Sequence, residues 1–171
     1  MNPLAFAAAD VHYPISGGAR AALVLAKDRA FAEIVAEKTA FVADVAPYVP
    51  GQFLRRELPP LRAVLDGVAR IELLVVDGYV DLDTDGRPGL GAHVHAEFGF
   101  PVIGVAKTPF VTATQAIPVV RGGATRPLYV TAAGIPAAEA AGMVREMSGE
   151  FRLPDALRRV DALSRDTGGA P

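Results

Sequence analysis

The run RIELLVVDGYV, residues 70–80, constrains the fold of this chain more than any other segment. Its central residues are apolar and do not alternate with polar ones, as they would in a strand that has one face in water. A nearly continuous apolar run of this length is typical of a parallel strand that is covered on both faces. The sequence therefore predicts a sheet with protein packed on either side of this strand.

Three strand-like segments precede this run and are joined by short connections. LAFAAAD, residues 4–10, reads as a short buried strand that ends in an aspartate. The SGG at 16–18 is a turn signal that leads into a second apolar run at 19–26, and FAEIVAEKTAF at 31–41 alternates in character. Short turns between consecutive strands predict an antiparallel arrangement of strands 1–3.

The segments after the third strand alternate between helix and strand patterns. A helix is predicted over about 52–66, with Pro59 and Pro60 interrupting it and an apolar stripe along one side. The stripe consists of Phe53, Leu54, Leu58, Leu61 and Leu65. The later predicted elements are a short helix near 90–98, strands at 100–107, 117–123 and 126–134, and helices at 136–151 and 154–166. Together these patterns predict an α/β fold around a mixed sheet flanked by helices.

Length and composition fit one globular domain that spans residues 1–171. Half of the residues (51%) are apolar and 21% are charged, which is ordinary for such a domain. There is no cysteine, so the sequence excludes disulfides and cysteine-bound zinc. No apolar run is long enough for a membrane span, and a cytoplasmic location is expected. The net charge of −2 gives no overall basic footprint, although a local arginine patch can still bind nucleic acid.

Acidic side chains stand directly after two of the buried runs. Asp10 ends the first strand and Asp77 ends the central apolar run. Solvation of a strand end also explains either aspartate alone. Neighbouring strands of a mixed sheet can present both ends at one edge, where open α/β sheets place ligands, and Glu57 lies on a helix expected to cross that edge. Three carboxylates suit a hard cation such as Mg²⁺, which can activate water and clamp a phosphodiester.

Two basic side chains are placed to assist the same edge. Lys107 closes the strand PVIGVAK and would neutralise a phosphate oxygen or steady an attacking water. His12 is two residues after Asp10, so both side chains point to the same face if the strand continues. An ordinary solvated lysine and a surface histidine are the alternative interpretations.

Five short segments resemble motifs of the endonuclease V family in their order and approximate spacing. They are AADVHY, PYVPGQFLRRE, LLVVDG, GLGAH and PVIGVAK. The resemblance extends over about residues 5–160 and is thin after 110. It implies a ribonuclease H-like fold, with antiparallel strands followed by parallel ones. It also implies an enzyme that cleaves DNA or RNA near inosine with Mg²⁺ or Mn²⁺.

The resemblance implies roles for individual residues. Asp10, Glu57 and Asp77 match the metal-binding carboxylates, and Lys107 matches the active-site lysine. The segment 48–51 resembles the wedge that enters the nucleic acid where the damaged base is swung out, and it consists of Tyr48, Val49, Pro50 and Gly51. A tyrosine between two prolines loses little entropy when it stacks into such a gap.

Three further residues are expected to meet nucleic acid. Gly78 matches a glycine whose backbone approaches the flipped base, and His93 matches a histidine of the short helix that follows. Arg56 stands beside Glu57 and the wedge, where it would hold the nucleic-acid backbone or form a salt bridge.

The chain departs from the family pattern at two informative positions. Val80 stands where the family commonly has a second glycine, and a valine there would reshape the base pocket. Gly134 stands where a turn of the form TGHR would supply a histidine that supports the metal site, and Glu139 approximately meets a nearby acidic position. Whether His12 or His93 compensates for that histidine is left open by the sequence.

The sequence predicts a metal-dependent endonuclease that hydrolyses a phosphodiester 3′ to inosine. The cofactor is expected to be Mg²⁺ or Mn²⁺, and the partner is DNA or RNA that contains inosine. Two alternatives remain: a nucleic-acid-binding domain with weakened catalysis, and a nuclease with a different substrate. The sequence does not fix the oligomeric state, and a monomer is the default expectation.

Overall fold

The computed structural model describes residues 4–47, 49–50 and 53–166, without the side chains of residues 53–55. The strands are β1 (Ala5–His12), β2 (Ala19–Ala26), β3 (Ile34–Val42), β4 (Ile71–Asp77), β5 (Val102–Ala106), β6 (Ile117–Val119) and β7 (Leu128–Ala133). The helices are α1 (Phe53–Leu65), α2 (Leu90–Phe98), α3 (Ala137–Glu146) and α4 (Asp155–Arg165).

These strands form one seven-stranded mixed sheet in the order β3-β2-β1-β4-β5-β7-β6. The first three strands are antiparallel, as the short turns predicted, and β4 and β5 continue the sheet parallel to β1. β7 runs antiparallel to β5 and to β6, so not every strand of the second half is parallel. The predicted α/β class with a mixed sheet is confirmed.

Helices cover the sheet on both faces, which explains the unbroken apolar run in β4. Because side chains alternate along a strand, Leu73 and Val75 pack on one face with α3 and α4. Leu74 and Val76 pack on the other face with α1 and α2. Each face of the sheet therefore has its own apolar core, and β1 and β4 contribute to both.

Helix α1 continues through Pro59 and Pro60, so the predicted interruption is wrong. A proline inside a helix removes a backbone hydrogen bond and normally costs about 3 kcal/mol. Here burial offsets that cost, because Leu58, Leu61 and Val64 are almost fully buried against the sheet. The stripe was predicted without Val64, and its members Phe53 and Leu54 have side chains outside the described residues.

Helix α3 ends at Glu146, earlier than the sequence pattern predicts. The guanidinium of Arg121 donates hydrogen bonds to the carbonyls of Met147 and Gly149, at 2.6 and 2.9 Å. These carbonyls therefore have partners outside a helix, and the chain turns toward α4.

No described helix has the length and apolar character needed to cross a membrane.

The connection after β4 is packed so closely that only glycine fits the neighbouring strand. A Cβ added at Gly104 would lie 2.5 Å from the Gly78 carbonyl oxygen and 2.9 Å from the Val80 nitrogen. That nitrogen donates to the Thr131 hydroxyl at 2.8 Å, and the Val80 side chain is fully buried. Val80 therefore belongs to the core beneath this loop.

We expect Gly104→Ala to destabilise the protein and Gly142→Ala to stabilise it. The first forces a methyl group against backbone atoms, and overpacking of this kind typically costs about 1–3 kcal/mol. The second places a methyl group in open space inside α3, where alanine gains roughly 0.5–1 kcal/mol over glycine. The free energy of unfolding in urea measures both. A Gly104→Ala protein as stable as the wild type would contradict the close packing.

Candidate active site

Three chemically active side chains share one face and one edge of the sheet. Asp10, Asp77 and Lys107 have the same strand parity as Ala8, Val75 and Val105, which face α3 and α4. β1 pairs with β4 at Ala9 and Val76, and β4 pairs with β5 at Asp77 and Val105. The register therefore sets the two aspartates side by side, with the lysine beyond them on β5.

Lys107 makes direct contact with this acidic edge. Its Nζ atom lies 3.2 Å from Oδ2 of Asp77, and both side chains are close to half-exposed. A half-exposed ion pair contributes little to stability, so its main effect is to hold the ammonium group beside the carboxylates.

Glu57 reaches the same edge from the opposite face of the sheet. It lies near the beginning of α1 and lines a cavity of about 130 Å³ together with Asp10 and Asp77. The guanidinium carbon of Arg56 lies 4.0 Å from the centroid of the Tyr13 ring, just after β1. Such a cation–π contact links the first turns of α1 to the end of β1 and steadies the position of Glu57.

A further carboxylate, Asp161 of α4, lies at this edge and was not predicted. It lines a narrow crevice together with Asp10, Asp77 and Lys107. Ser164 of the same helix is fully buried and donates a hydrogen bond to Oδ2 of Asp10 at 3.1 Å. The sequence signal that could have revealed this helix as part of the site is Ser164. It is a polar residue on the buried side of α4, in line with the apolar residues Leu157 and Val160.

Crowding of negative charge changes the protonation of this group. Burial and the negative charge of Asp77 raise the pKa of Asp10 to about 6, although the hydrogen bond from Ser164 opposes the shift. Burial and the charges of Asp77 and Asp10 raise the pKa of Glu57 to about 7. Burial acts in the same direction on Asp161, but the hydrogen bond and charge of Arg165 outweigh it and lower that pKa.

The donor chemistry of this edge fits a hard divalent cation. Asp10, Glu57 and Asp77 offer only oxygen atoms, which Mg²⁺ and Mn²⁺ prefer. Burial and neighbouring negative charge raise the pKa values of Asp10 and Glu57, although Lys107 lies beside Asp77. Within residues 4–47, 49–50 and 53–166 no group of three acidic, histidine or cysteine side chains is close enough to hold one metal ion. Metal ligation by these carboxylates therefore remains a prediction.

A larger pocket of about 610 Å³ opens beside the carboxylates. Its walls include Glu57, Asp77, Gly78, Tyr79, His93 and Phe110. The Tyr79 hydroxyl donates to the Thr108 carbonyl at 2.7 Å, and the Tyr79 and Phe110 rings lie 5.9 Å apart. The structure thus places Gly78 and His93, two predicted nucleic-acid contacts, next to two of the predicted metal ligands.

The remaining sequence predictions concern the wedge, His12 and Val80. Tyr48 and Gly51 are outside the described residues, and Val49 and Pro50 are exposed just before α1. His12 lies at the end of β1, paired with Arg20 of β2. Val80 does not line the pocket, because it is buried beneath Gly91 and Gly104. The expectation that Val80 reshapes the base pocket stays a prediction, and any such effect would act from beneath the pocket.

Gly134 also lies away from the acidic edge. It follows Ala133, which pairs with Val102 at the beginning of β5, whereas Lys107 follows the end of that strand. A Cβ at Gly134 would meet His95 and Pro101, and Glu139 forms an ion pair with Arg29 at 2.6 Å. The antiparallel direction of β7 carries this turn to the opposite edge, so a histidine at position 134 would not lie beside the carboxylates.

Comparison with known proteins identifies the relatives of this chain. A family model for endonuclease V matches residues 3–137. An endonuclease V from Streptomyces coelicolor is 33% identical over 178 residues, which cover 91% of this chain and 76% of the relative.

Solved structures show the same fold. Endonuclease V from Streptomyces avermitilis matches with a TM-score of 0.80 and 29% identity, over 95% of this chain and 80% of that one. Ciona intestinalis endonuclease V, in complex with a 24mer DNA containing an inosine followed by a ribo-adenosine, matches with a TM-score of 0.78 and 17% identity. That match covers 95% of this chain and 85% of the Ciona chain, and at this identity it supports the fold alone.

We expect Glu57→Gln to stabilise the metal-free protein at high pH and not at low pH. Because folding raises the Glu57 pKa from 4.5 to about 7, its contribution to stability is fully present below about pH 4.5 and is lost as the pH rises through 7. The gain above pH 7 is of the order of 2 kcal/mol. Urea unfolding in a chelator at several pH values measures it.

Glu37→Gln is the control with the opposite sign. The hydrogen bond from Arg159 lowers the pKa of Glu37. The Glu37 carboxylate therefore contributes to folding stability at high pH, and this contribution is lost as the pH falls below the ordinary pKa of a glutamate. This variant should lose stability at high pH. Equal behaviour of the two variants would contradict charge crowding at Glu57.

Proposed function

The chain belongs to the endonuclease V family, and on that premise we propose that it is a metal-dependent endonuclease that hydrolyses a phosphodiester 3′ to inosine in DNA or RNA. The observation that carries the proposal is the meeting of Asp10, Glu57, Asp77 and Lys107 at one edge of the sheet, beside a pocket. By the family resemblance, the cut falls one nucleotide beyond the inosine.

The acidic edge would supply the hydrolytic chemistry. Asp10, Glu57 and Asp77 would hold Mg²⁺ or Mn²⁺, which when bound makes a water nucleophilic and offsets charge on the phosphodiester. Lys107, held 3.2 Å from Asp77, would contact a phosphate oxygen and neutralise its charge. Ser164 of α4 positions Asp10 from the other side, and Asp161 of the same helix lines the crevice beside it.

The neighbouring pocket would receive the extruded base. Gly78 leaves backbone accessible on one wall, because a Cβ there would meet no atom within 4 Å. Tyr79 and Phe110 provide aromatic surface, and His93 provides a polar edge that can form hydrogen bonds. Ciona endonuclease V, which shares the fold, is bound to inosine-containing DNA, and we take this class of ligand over as part of the proposal. Insertion of the wedge 48–51 and contact by Arg56 belong to the same proposal.

One of the two alternative functions loses the sequence argument that suggested it. Loss of catalysis was tied to Gly134, which lies at the opposite edge from the carboxylates. The alternative of a different substrate was tied to Val80, which is buried below the pocket, and it stays a prediction. Inosine-containing DNA or RNA as partner, a monomeric state and a cytoplasmic location complete the proposal.

We expect the protein to cleave single-stranded DNA or RNA that carries one inosine, and Asp77→Asn to abolish cleavage. The substitution removes a charge that the metal site needs but preserves the shape of the side chain. End-labelled strands with inosine or adenine at one position, incubated with Mg²⁺ or Mn²⁺, measure the rate. Glu139→Gln is the matched control, because Glu139 pairs with Arg29 and should be dispensable for cleavage. Equal cutting of the adenine strand would overturn inosine specificity.

We expect Mg²⁺ and Mn²⁺ to raise the melting temperature at pH about 8. A cation that binds only the folded state stabilises it by mass action and relieves repulsion among the carboxylates. The increase should shrink near pH 5, where Asp10 and Glu57 are protonated. It should also shrink in Asp77→Asn and persist in Glu139→Gln. The same shift in all three proteins would place the cation elsewhere.

A further inference from the structure

A second groove begins where the acidic edge ends. It has a volume of about 730 Å³ and lies between the turn at Gly122, the α3–α4 connection and the beginning of α4. Its walls include Phe151, Arg152, Arg158 and Asp161. Asp161 also lines the crevice with Asp10, Asp77 and Lys107, so the groove is continuous with the acidic edge. We call this surface the Arg158 groove.

Arg152 brings a positive charge to the groove without a carboxylate partner. Its guanidinium donates to the carbonyls of Lys107, Arg126 and Pro127, at 2.5, 3.0 and 2.8 Å. No carboxylate is among the contacts of Arg152 within the described part of the chain. Carbonyl oxygens orient a guanidinium but do not cancel its charge, so this arginine favours an anion nearby.

Arg158 combines positive charge with aromatic surface. Its guanidinium carbon lies 4.4 Å from the centroid of the Phe151 ring, and both side chains are about half-exposed. Its carboxylate contact is Asp155, at 4.0 Å, which is the limit of an ion pair. The groove therefore offers a guanidinium that is weakly compensated and a ring with an accessible surface.

The neighbouring residue Arg159 has a different environment. It donates two hydrogen bonds to Glu37 of β3, with Nε to Oε1 at 2.6 Å and the terminal nitrogen to Oε2 at 2.9 Å. A bidentate pair of this kind neutralises the charge and fixes the side chain. Arg159 thus joins α4 to the edge strand, whereas Arg158 faces the groove.

We propose that the Arg158 groove binds a nucleic-acid strand that continues from the acidic edge. Arg152 and Arg158 contact its phosphates, and a base stacks on Phe151. Charge complementarity favours this ligand, and arginines interleaved with an exposed aromatic ring are typical of sites for single strands. The inference rests on the proposed function for the identity of the strand, and it adds a subsite separate from the base pocket.

The test compares Arg158→Ala with Arg159→Ala, each in an Asp77→Asn background that prevents cleavage. Binding is measured by fluorescence anisotropy with a short inosine strand and with strands extended by about ten nucleotides on the 5′ or the 3′ side. For one of the extended strands, Arg158→Ala should weaken binding about fivefold to tenfold. It should also reduce the slope of log affinity against log salt by about 0.7. The affinity for the short strand should be the same with and without Arg158→Ala.

Arg159→Ala should leave the affinity for every strand unchanged, since its charge is already paired. Equal losses in the two arginine variants, or equal losses for short and extended strands, would overturn the proposal. Phe151→Leu provides a second test that keeps all charges. It should weaken binding of the same extended strand without changing the slope of log affinity against log salt. Melting temperatures show that each variant is folded.

Cleavage by proteins with an intact Asp77 separates this inference from the proposed function. If the otherwise unmodified protein cleaves inosine strands but binds extended strands no more tightly than the short one, the groove proposal fails and the function stands. If no inosine strand is cleaved but binding of an extended strand depends on Arg158, the function fails and the groove proposal stands.

Discussion

The site is built around like charges that are gathered at the end of a buried sheet. Asp10 and Asp77 lie on adjacent parallel strands, and Glu57 reaches them from a helix on the other face. Burial and mutual repulsion raise the pKa values of Asp10 and Glu57 to about 6 and 7, so the folded state resists full ionisation of this group. Carboxylates with perturbed pKa values cluster at functional sites, and this edge carries the proposed function for that reason.

The rest of the fold supplies the rigidity that holds these carboxylates together. Apolar cores on both faces of the sheet fix β1 and β4. The close contact of Gly104 with the backbone of Gly78 and Val80 fixes the chain just after Asp77. Helix α1 keeps two internal prolines because its apolar side is buried. Burial of that side offsets the backbone hydrogen bonds that the prolines remove, so the helix stays intact next to Glu57.

The surroundings of the acidic edge differ on its two sides. One side opens to a pocket with aromatic walls and the accessible backbone of Gly78, which suits a single base. The other side leads to the Arg158 groove, where guanidinium groups held by carbonyls or by an aromatic ring suit a chain of phosphates. Under the proposed function, a strand that passes from the pocket across the carboxylates to the groove would meet base recognition, hydrolysis and backbone binding in that order.

The sequence by itself determined the elements, most of their bounds and the edge of the sheet where chemistry is expected. Apolar runs are local features, so β4 was readable from residues 70–80, and the polar residues that end these runs placed Asp10, Asp77 and Lys107 at strand ends. Only the tertiary structure decided which distant residues meet. It brought Asp161 to Asp10, paired Arg159 with Glu37, and carried Gly134 to the opposite edge because β7 runs antiparallel to β5. Such contacts depend on strand order and direction, which local patterns do not encode.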